Sequence, residues 1–226
     1  NMEFIKKDNS GLMVINYIEL EDYIKGILYH EVSHYWPIEA LKAQAVVCRT
    51  YARNQMQENR SKDYDVTADI YSQVYGGRTS ERHRTNEAVE ATRGEVLTFE
   101  GDIFPAYYHA TCAGHTEDAS LLWNNDISPL KGVVCNYCKN STHFKWHTVL
   151  FTQKVEDSLA KSEYKIKAIK DILINGKDRS GRIISLKLVS DEKTIKIPAK
   201  DFRNIIGPNI LKSANFKVKV IEDDVV

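Results

Sequence analysis

An α+β fold is predicted, with a helical N-terminal part that carries a chemically conspicuous glutamate and a mostly β remainder. Three observations predict it. Apolar residues recur at helical spacing between residues 19 and 92. Alternating, β-branched stretches gather in the later part of the chain, around 95–109 and after 183. Helices come early in the chain and the sheet mostly later. The 226 residues fit one domain, 1–226, with two lobes as the alternative: about 19–92 mainly helical, the remainder mainly β.

The elements are taken in chain order. Residues 4–18 read as a short strand pair, with Leu12, Val14 and Ile15 as β-formers and Gly11 supplying a turn. Glu19 to His34 reads as the first helix, and Pro37 suits the first turn of a second that runs to about Glu58. Leu41, Ala45, Cys48 and Ala52 make its apolar line. A polar loop, Asn59 to Asp65, leads to Val66–Tyr75, which Gly76-Gly77 stops. Glu81 to Thr92 is a third helix ended by Gly94. Glu95–Phe99 and Phe104–His109 read as strands joined at Glu100-Gly101-Asp102. A helix or turn is expected at Ala119–Trp123. Further on, Lys145–Phe151 reads as a strand, Gln153–Ser162 as a short helix and Lys165–Leu173 as a mixed segment. Ile183–Val189 is a strand paired with Thr194–Ile197, Ala199–Ile206 a helix closed by Gly207-Pro208, and Phe216–Ile221 a last strand.

Composition narrows the function classes. Hydrophobic residues make up 42% of the chain, enough for a real core. Lys plus Arg and Asp plus Glu both number 31, so the chain has no overall basic character to attract nucleic acid. A neutral glycan is compatible with that balance. No run of about 18 apolar residues offers a membrane span. The opening Asn1-Met2-Glu3 reads as a cut end, so a targeting segment or membrane anchor is expected to have been removed.

Glu31 is the leading candidate for chemistry. At helical spacing it shares a face with Ile24, Ile27 and Leu28. Desolvation on such a stripe raises a carboxyl pKa and makes a general acid. The plainer reading is a Glu at the rim of the stripe, half in water. The same stretch, His30-Glu31-Val32-Ser33-His34, is also a literal H-E-x-x-H, a zinc-peptidase string with Glu58 as the best third ligand. Trp36-Pro37 argues against it, because the residue before a proline leaves helical geometry. Lys42, Gln44, Arg49 and Tyr51 on the second helix either face solvent or line a groove beside Glu31.

Cys112-x-x-His115 and Cys135-x-x-Cys138 form two short ligand pairs, the spacing a tetrahedral structural zinc uses. His109, His143 and His147 are spare ligands, and free thiols or a local Cys135–Cys138 disulfide are the alternatives. Cys48 reads as a small core residue.

Taken together, these blocks resemble the SpoIID family, the stage II sporulation protein D and LytB-like proteins. The resemblance rests on Leu20–Ile27 leading to Glu31, on Trp36–Val46 and Arg49-Thr50-Tyr51-Ala52, and on Gln73-Val74-Tyr75-Gly76-Gly77. It continues through Tyr108–Glu117, Leu122–Asp126, Ser180-Gly181-Arg182, Phe202-Arg203 and Leu211–Phe216. It implies a peptidoglycan lytic transglycosylase that cuts denuded glycan strands between MurNAc and GlcNAc and leaves 1,6-anhydro-MurNAc ends, in wall remodelling during sporulation and engulfment. It also implies an extracytoplasmic, membrane-anchored setting and a wall amidase and membrane anchor protein as partners; a non-catalytic amidase activator is the alternative. Glu31 is then the catalytic acid. Lys42 and Arg49 match helix positions that the family needs at its groove, and Gln44, Tyr51, Gln73, Tyr75 and His109 are further lining residues. His30 and His34 stand where relatives have small residues, and a zinc on Cys112, His115, Cys135 and Cys138 would be this chain's own variation.

Overall fold

The computed structural model describes residues 1–7 and 11–221. The fold is α+β, helices first and strands in the remainder, and its contacts divide into two units, Asn1–Tyr108 and His109–Val226.

The first unit opens with β1 (Met2–Lys7) and β2 (Gly11–Asn16), antiparallel with Phe4 opposite Val14. Helix α1 (Leu20–Glu31) and helix α2 (Ile38–Glu58) come next, then α3 (His83–Ala91). Tyr23, Ile24, Ile27, Leu28 and Val32 pack against Leu41, Ala45, Cys48 and Ala52 and against Ala88 and Val89. The apolar faces expected of the first two helices are therefore the ones that build this core.

Helix α1 ends at Glu31, three residues before the expected end at His34. Val32 turns extended (φ −141°, ψ 149°) after making the last helical bond, from its N–H to the Leu28 carbonyl. A β-branched side chain tolerates that backbone well, and the turn lets Val32 join the core. Residues 33–36 then form a tight turn, and the Pro37 carbonyl accepts from Ala40 and Leu41 to start α2. Arg84 on α3 clasps this corner by donating to the carbonyls of His34 (3.0 Å) and Trp36 (2.8 Å).

The Gly76-Gly77 pair does more than stop a segment. The Gly76 N–H donates to the Gly26 carbonyl of α1 at 3.1 Å, and a Cβ on Gly76 would overlap Ser80 Oγ and His30 Nε2. Gly76 itself has ordinary angles (φ −101°, ψ 5°), so the requirement is space and not backbone freedom. Gly76→Ala is expected to lower unfolding free energy by about 1–3 kcal/mol through overpacking, read as a lower denaturant midpoint.

The expected hairpin near residue 100 is present but small. Only β3 (Thr98–Phe99) and β4 (Asp102–Ile103) pair, and Phe104–His109 is not a strand.

In the second unit, α4 (Ala119–Trp123) and α5 (Thr152–Ala160) precede a three-stranded antiparallel sheet. Its strands are β5 (Asp171–Lys177), β6 (Ile183–Val189) and β7 (Thr194–Pro198), in that order, and α6 (Ala199–Ile206) continues directly from the last. Leu186, Leu188 and Ile197 of the sheet bury against Val155 and Leu159 of α5 and Phe202 and Ile206 of α6. Three details differ from the sequence reading. Strand β5 takes only the last three residues of the mixed segment and runs on to Lys177, a continuation masked in the sequence by Gly176, which holds φ +88° within the strand. Lys145–Phe151 and Phe216–Ile221 are not strands. Instead Trp146 and Phe216 meet edge to face, with ring centroids 6.2 Å apart, and pack on the core as irregular chain. Alternate residues of these segments are partly covered, while Val149, Phe151 and Ile221 stay exposed.

Candidate functional site

Glu31 is the last residue of α1, half-buried, one turn beyond the fully buried Ile27 and Leu28. Burial pushes its carboxyl above the usual carboxylate range; a hydrogen bond from Tyr108 and the neighbouring His30 pull the other way. The site is thus a carboxyl poised between apolar packing and one hydroxyl.

That hydroxyl is set in a buried polar chain. The Tyr108 oxygen accepts from Gln73 Nε2 at 3.3 Å, and the Cys48 thiol lies 3.8 Å away. Gln73 is 1% exposed. Its Nε2 also reaches the Cys48 carbonyl at 3.4 Å, and its Oε1 accepts from the Tyr23 hydroxyl at 3.2 Å. With Gln73 donating to the Tyr108 oxygen, the single phenolic proton is free to point to Glu31. Burial, chiefly, raises the Tyr108 pKa, so the phenol stays a donor.

The other expected site residues separate. Gln44 donates to Cys48 Sγ at 3.4 Å, one shell behind Tyr108. Gln73 is a buried support and not a lining residue. Tyr75 stacks on Tyr23 at 5.6 Å between centroids, over Gly26. Tyr51 is half-buried and tilts against Tyr107 at 6.4 Å. Lys42 pairs with Glu39 one turn earlier at 2.8 Å, partly exposed. Arg49, expected at a groove, is fully buried. Its Nε and Nη2 grip both carboxylate oxygens of Glu21 at 2.9 and 2.7 Å, and it donates to the carbonyls of Glu95 (3.0 Å) and Val89 (3.3 Å). A guanidinium so enclosed braces α1, α2 and α3 together. His109 is exposed and begins the second unit.

A cavity of about 690 Å³ opens between β2 and residues 62–68, walled by Tyr17, Tyr64, Tyr23 and Tyr75 among others. Tyr23 belongs both to this wall and to the polar chain behind Glu31.

Sequence reasoning did not single out Tyr108. It lay in a stretch read as a strand, where an aromatic is unremarkable; the usable signal was its place at the head of the Tyr108–Glu117 block. The zinc-peptidase string fails on geometry. With the helix ended at Glu31, His30 and His34 are not on successive helical turns: His30 Nε2 meets Ser80 Oγ at 2.7 Å, and the His34 ring lies against Tyr35, 4.0 Å between centroids.

In the second unit Cys112, Cys135 and Cys138 have their sulfurs within 4.8 Å of one another, a group able to hold a metal ion. His115, expected as a ligand, lies outside it, with Nδ1 2.6 Å from the Thr116 carbonyl. All four cysteines are free thiols.

Residues 8–99 match the family SpoIID: Stage II sporulation protein, and residues 126–226 match a domain of unknown function (DUF8618). Glu31 and Gln73 lie inside the first match; Tyr108 and Cys112 fall between the two. The chain is 33% identical over 219 residues to an uncharacterized protein of Brachyspira hyodysenteriae, covering 96% of this chain and 58% of that one. It is 28% identical to the amidase enhancer of Bacillus subtilis, over 87% of this chain and 33% of that protein. It is also 28% identical to stage II sporulation protein D of Bacillus subtilis, over 76% of this chain and 58% of that protein. The chain thus spans between a third and three fifths of the length of these relatives. The family match falls on the helices that hold Glu31, and relatives bearing the family's name align across about three quarters of the chain: residues 8–99 are a SpoIID domain.

Proposed function

We propose that this chain is a peptidoglycan lytic transglycosylase that cleaves denuded glycan strands between MurNAc and GlcNAc, with Glu31 as its acid and base. One observation carries the reading: a carboxyl held half-buried at a helix end, pushed toward its protonated form, with a phenol directed at it. Protonated Glu31 donates to the glycosidic oxygen as the bond to the anomeric carbon breaks. The carboxylate then takes the proton of the sugar's own 6-hydroxyl as that oxygen bonds to the anomeric carbon. The proton count closes on one residue and no water is consumed. A hydrolase needs a second carboxylate to activate water or attack the sugar; this reaction does not. The Tyr108 hydroxyl stabilises the carboxylate midway through.

The test is incubation with defined denuded strands and mass spectrometry of the ends. Anhydro ends are expected; hydrated reducing ends, or intact strands, would overturn the reading. Tyr108→Phe removes a group that favours the charged carboxylate, so the Glu31 pKa rises. The alkaline limb of the rate profile, where the acid is lost, is then expected at higher pH than in the parent.

The similarity to an amidase enhancer favours a second reading, a glycan-binding activator of a wall amidase. Stimulated amidase activity without strand cleavage would select it. Both readings place the chain outside the cytoplasm during sporulation, held by a membrane anchor or anchored partner; no helix among the described residues is long and apolar enough to cross a membrane. A zinc ion on the thiols of the second unit belongs to this proposal as a structural part, outside the chemistry.

A further inference from the structure

The three clustered thiols sit on two loops built to face one another. Between Cys112 and His115 the backbone turns left-handed, at Ala113 (φ 57°) and Gly114 (φ 103°). That doubling back lets the Gly114 carbonyl accept from the Cys135 N–H at 2.9 Å, and His115 bridges Val134. Arg182 fixes both ends of the turn, donating to the carbonyls of Cys112 and His115, each at 3.1 Å, while its Nε pairs with Glu117 at 2.7 Å. On the other loop Cys135 and Cys138 flank the start of a 3-10 turn, Tyr137–Asn140.

We propose that Cys112, Cys135 and Cys138 form a three-thiolate zinc site, with His115 outside the ligand set and the fourth position taken by a small exogenous ligand. Zinc–sulfur bonds of about 2.3 Å in a tetrahedron set sulfurs about 3.8 Å apart. Here Cys112 and Cys138 Sγ are 3.3 Å apart and all three lie within 4.8 Å, so closure on a metal needs only small side-chain shifts. The sulfurs also have amide donors: the Cys112 N–H reaches Cys138 Sγ at 3.5 Å, and the N–H groups of Tyr137 and Cys138 serve Cys135. Each Zn–S bond forms as one thiol proton leaves to solvent, with no change of oxidation state. The Cys112-x-x-His115 spacing is misleading because Cys112 serves the site alone from its loop. Cys112 lies outside both family matches and Cys135 and Cys138 inside the second, so the metal would tie the intervening stretch to it.

Metal analysis of the reduced full chain tests this. About one zinc per chain is expected, kept in His115→Ala and in Glu31→Gln, and lost in Cys112→Ser, Cys135→Ser and Cys138→Ser. Cobalt exchange guards against loss by misfolding: the parent should show thiolate-to-cobalt charge transfer, and added small thiol should shift its visible bands. Zinc lost in His115→Ala, cobalt bands unmoved by added thiol, or three freely reactive thiols without metal would overturn the proposal. None of these readouts depends on glycan cleavage, so this site and the proposed activity stand or fall separately.

Discussion

Glu31→Gln is expected to slow cleavage of denuded glycan strands by about 100- to 10,000-fold, the range over which a positioned acid–base group acts. The amide keeps the shape and can still meet Tyr108, but it neither donates a proton to the leaving oxygen nor accepts one from the 6-hydroxyl. Stability should move the other way. Burial raises the Glu31 pKa in the folded state, so its contribution is favourable below the unfolded carboxyl pKa and is lost as pH rises through the folded one. At neutral pH the carboxylate is a cost that Gln lacks. The variant should therefore melt at or slightly above the parent temperature at pH 7, with the gap closing toward pH 4. Loss of cleavage with unchanged or higher melting temperature identifies a residue kept for chemistry; loss of both would make Glu31 a structural group.

Arg49→Leu should destabilise the first unit by about 3–5 kcal/mol, because it strands a partly enclosed carboxylate without its partner. Glu21 is only 13% exposed at its side chain, and besides Arg49 it accepts the Gly94 N–H at 3.1 Å. Two carbonyls, of Val89 and Glu95, also lose their donor. For a domain of this size each kcal/mol moves the melting point by about 4–8 °C, so a fall of more than about 12 °C is expected. Arg49→Lys keeps the charge but not the two-pronged grip and should recover part of it. The pH dependence comes from Glu21. Burial is the largest single influence and raises its pKa, but the hydrogen bonds from Arg49 and the Gly94 N–H and the charges of Arg49 and Arg93 together outweigh it, and the net shift is down. Its stabilising contribution is present above the unfolded carboxyl pKa and lost as pH falls through the folded one. Arg49→Leu should flatten that acid dependence. A variant that melts like the parent but binds glycan weakly would restore Arg49 to a groove.

The legible parts of the chain were those governed by local rules. The apolar spacing of Ile24, Ile27 and Leu28, the line Leu41 to Ala52, and the Ala199–Ile206 helix with its Gly207-Pro208 stop all depend on neighbours in sequence, and each stands in the structure. Where partners come from afar, patterns misled. Lys145–Phe151 has a strand's alternation but is not a strand, and the continuation of β5 was hidden by one glycine. Arg49 looked like any polar residue on a helix face; only the fold reveals that Glu21, 28 positions earlier, waits inside to receive it. Tyr108 reaches the Gln73 amide across 35 positions, a distance at which spacing carries no information.

Glu31 occupies the final helical position of α1, immediately before the backbone straightens at Val32. Each residue added to or removed from a helix rotates the positions beyond it by about 100° and shifts them by about 1.5 Å. Substitutions along α1 can be absorbed one side chain at a time, whereas a single insertion or deletion between Leu20 and Glu31 would swing the carboxyl a quarter turn or more away from the phenol. The twelve-residue length of this helix is therefore a ruler, and natural variation in it should be confined to exchanges that keep the count.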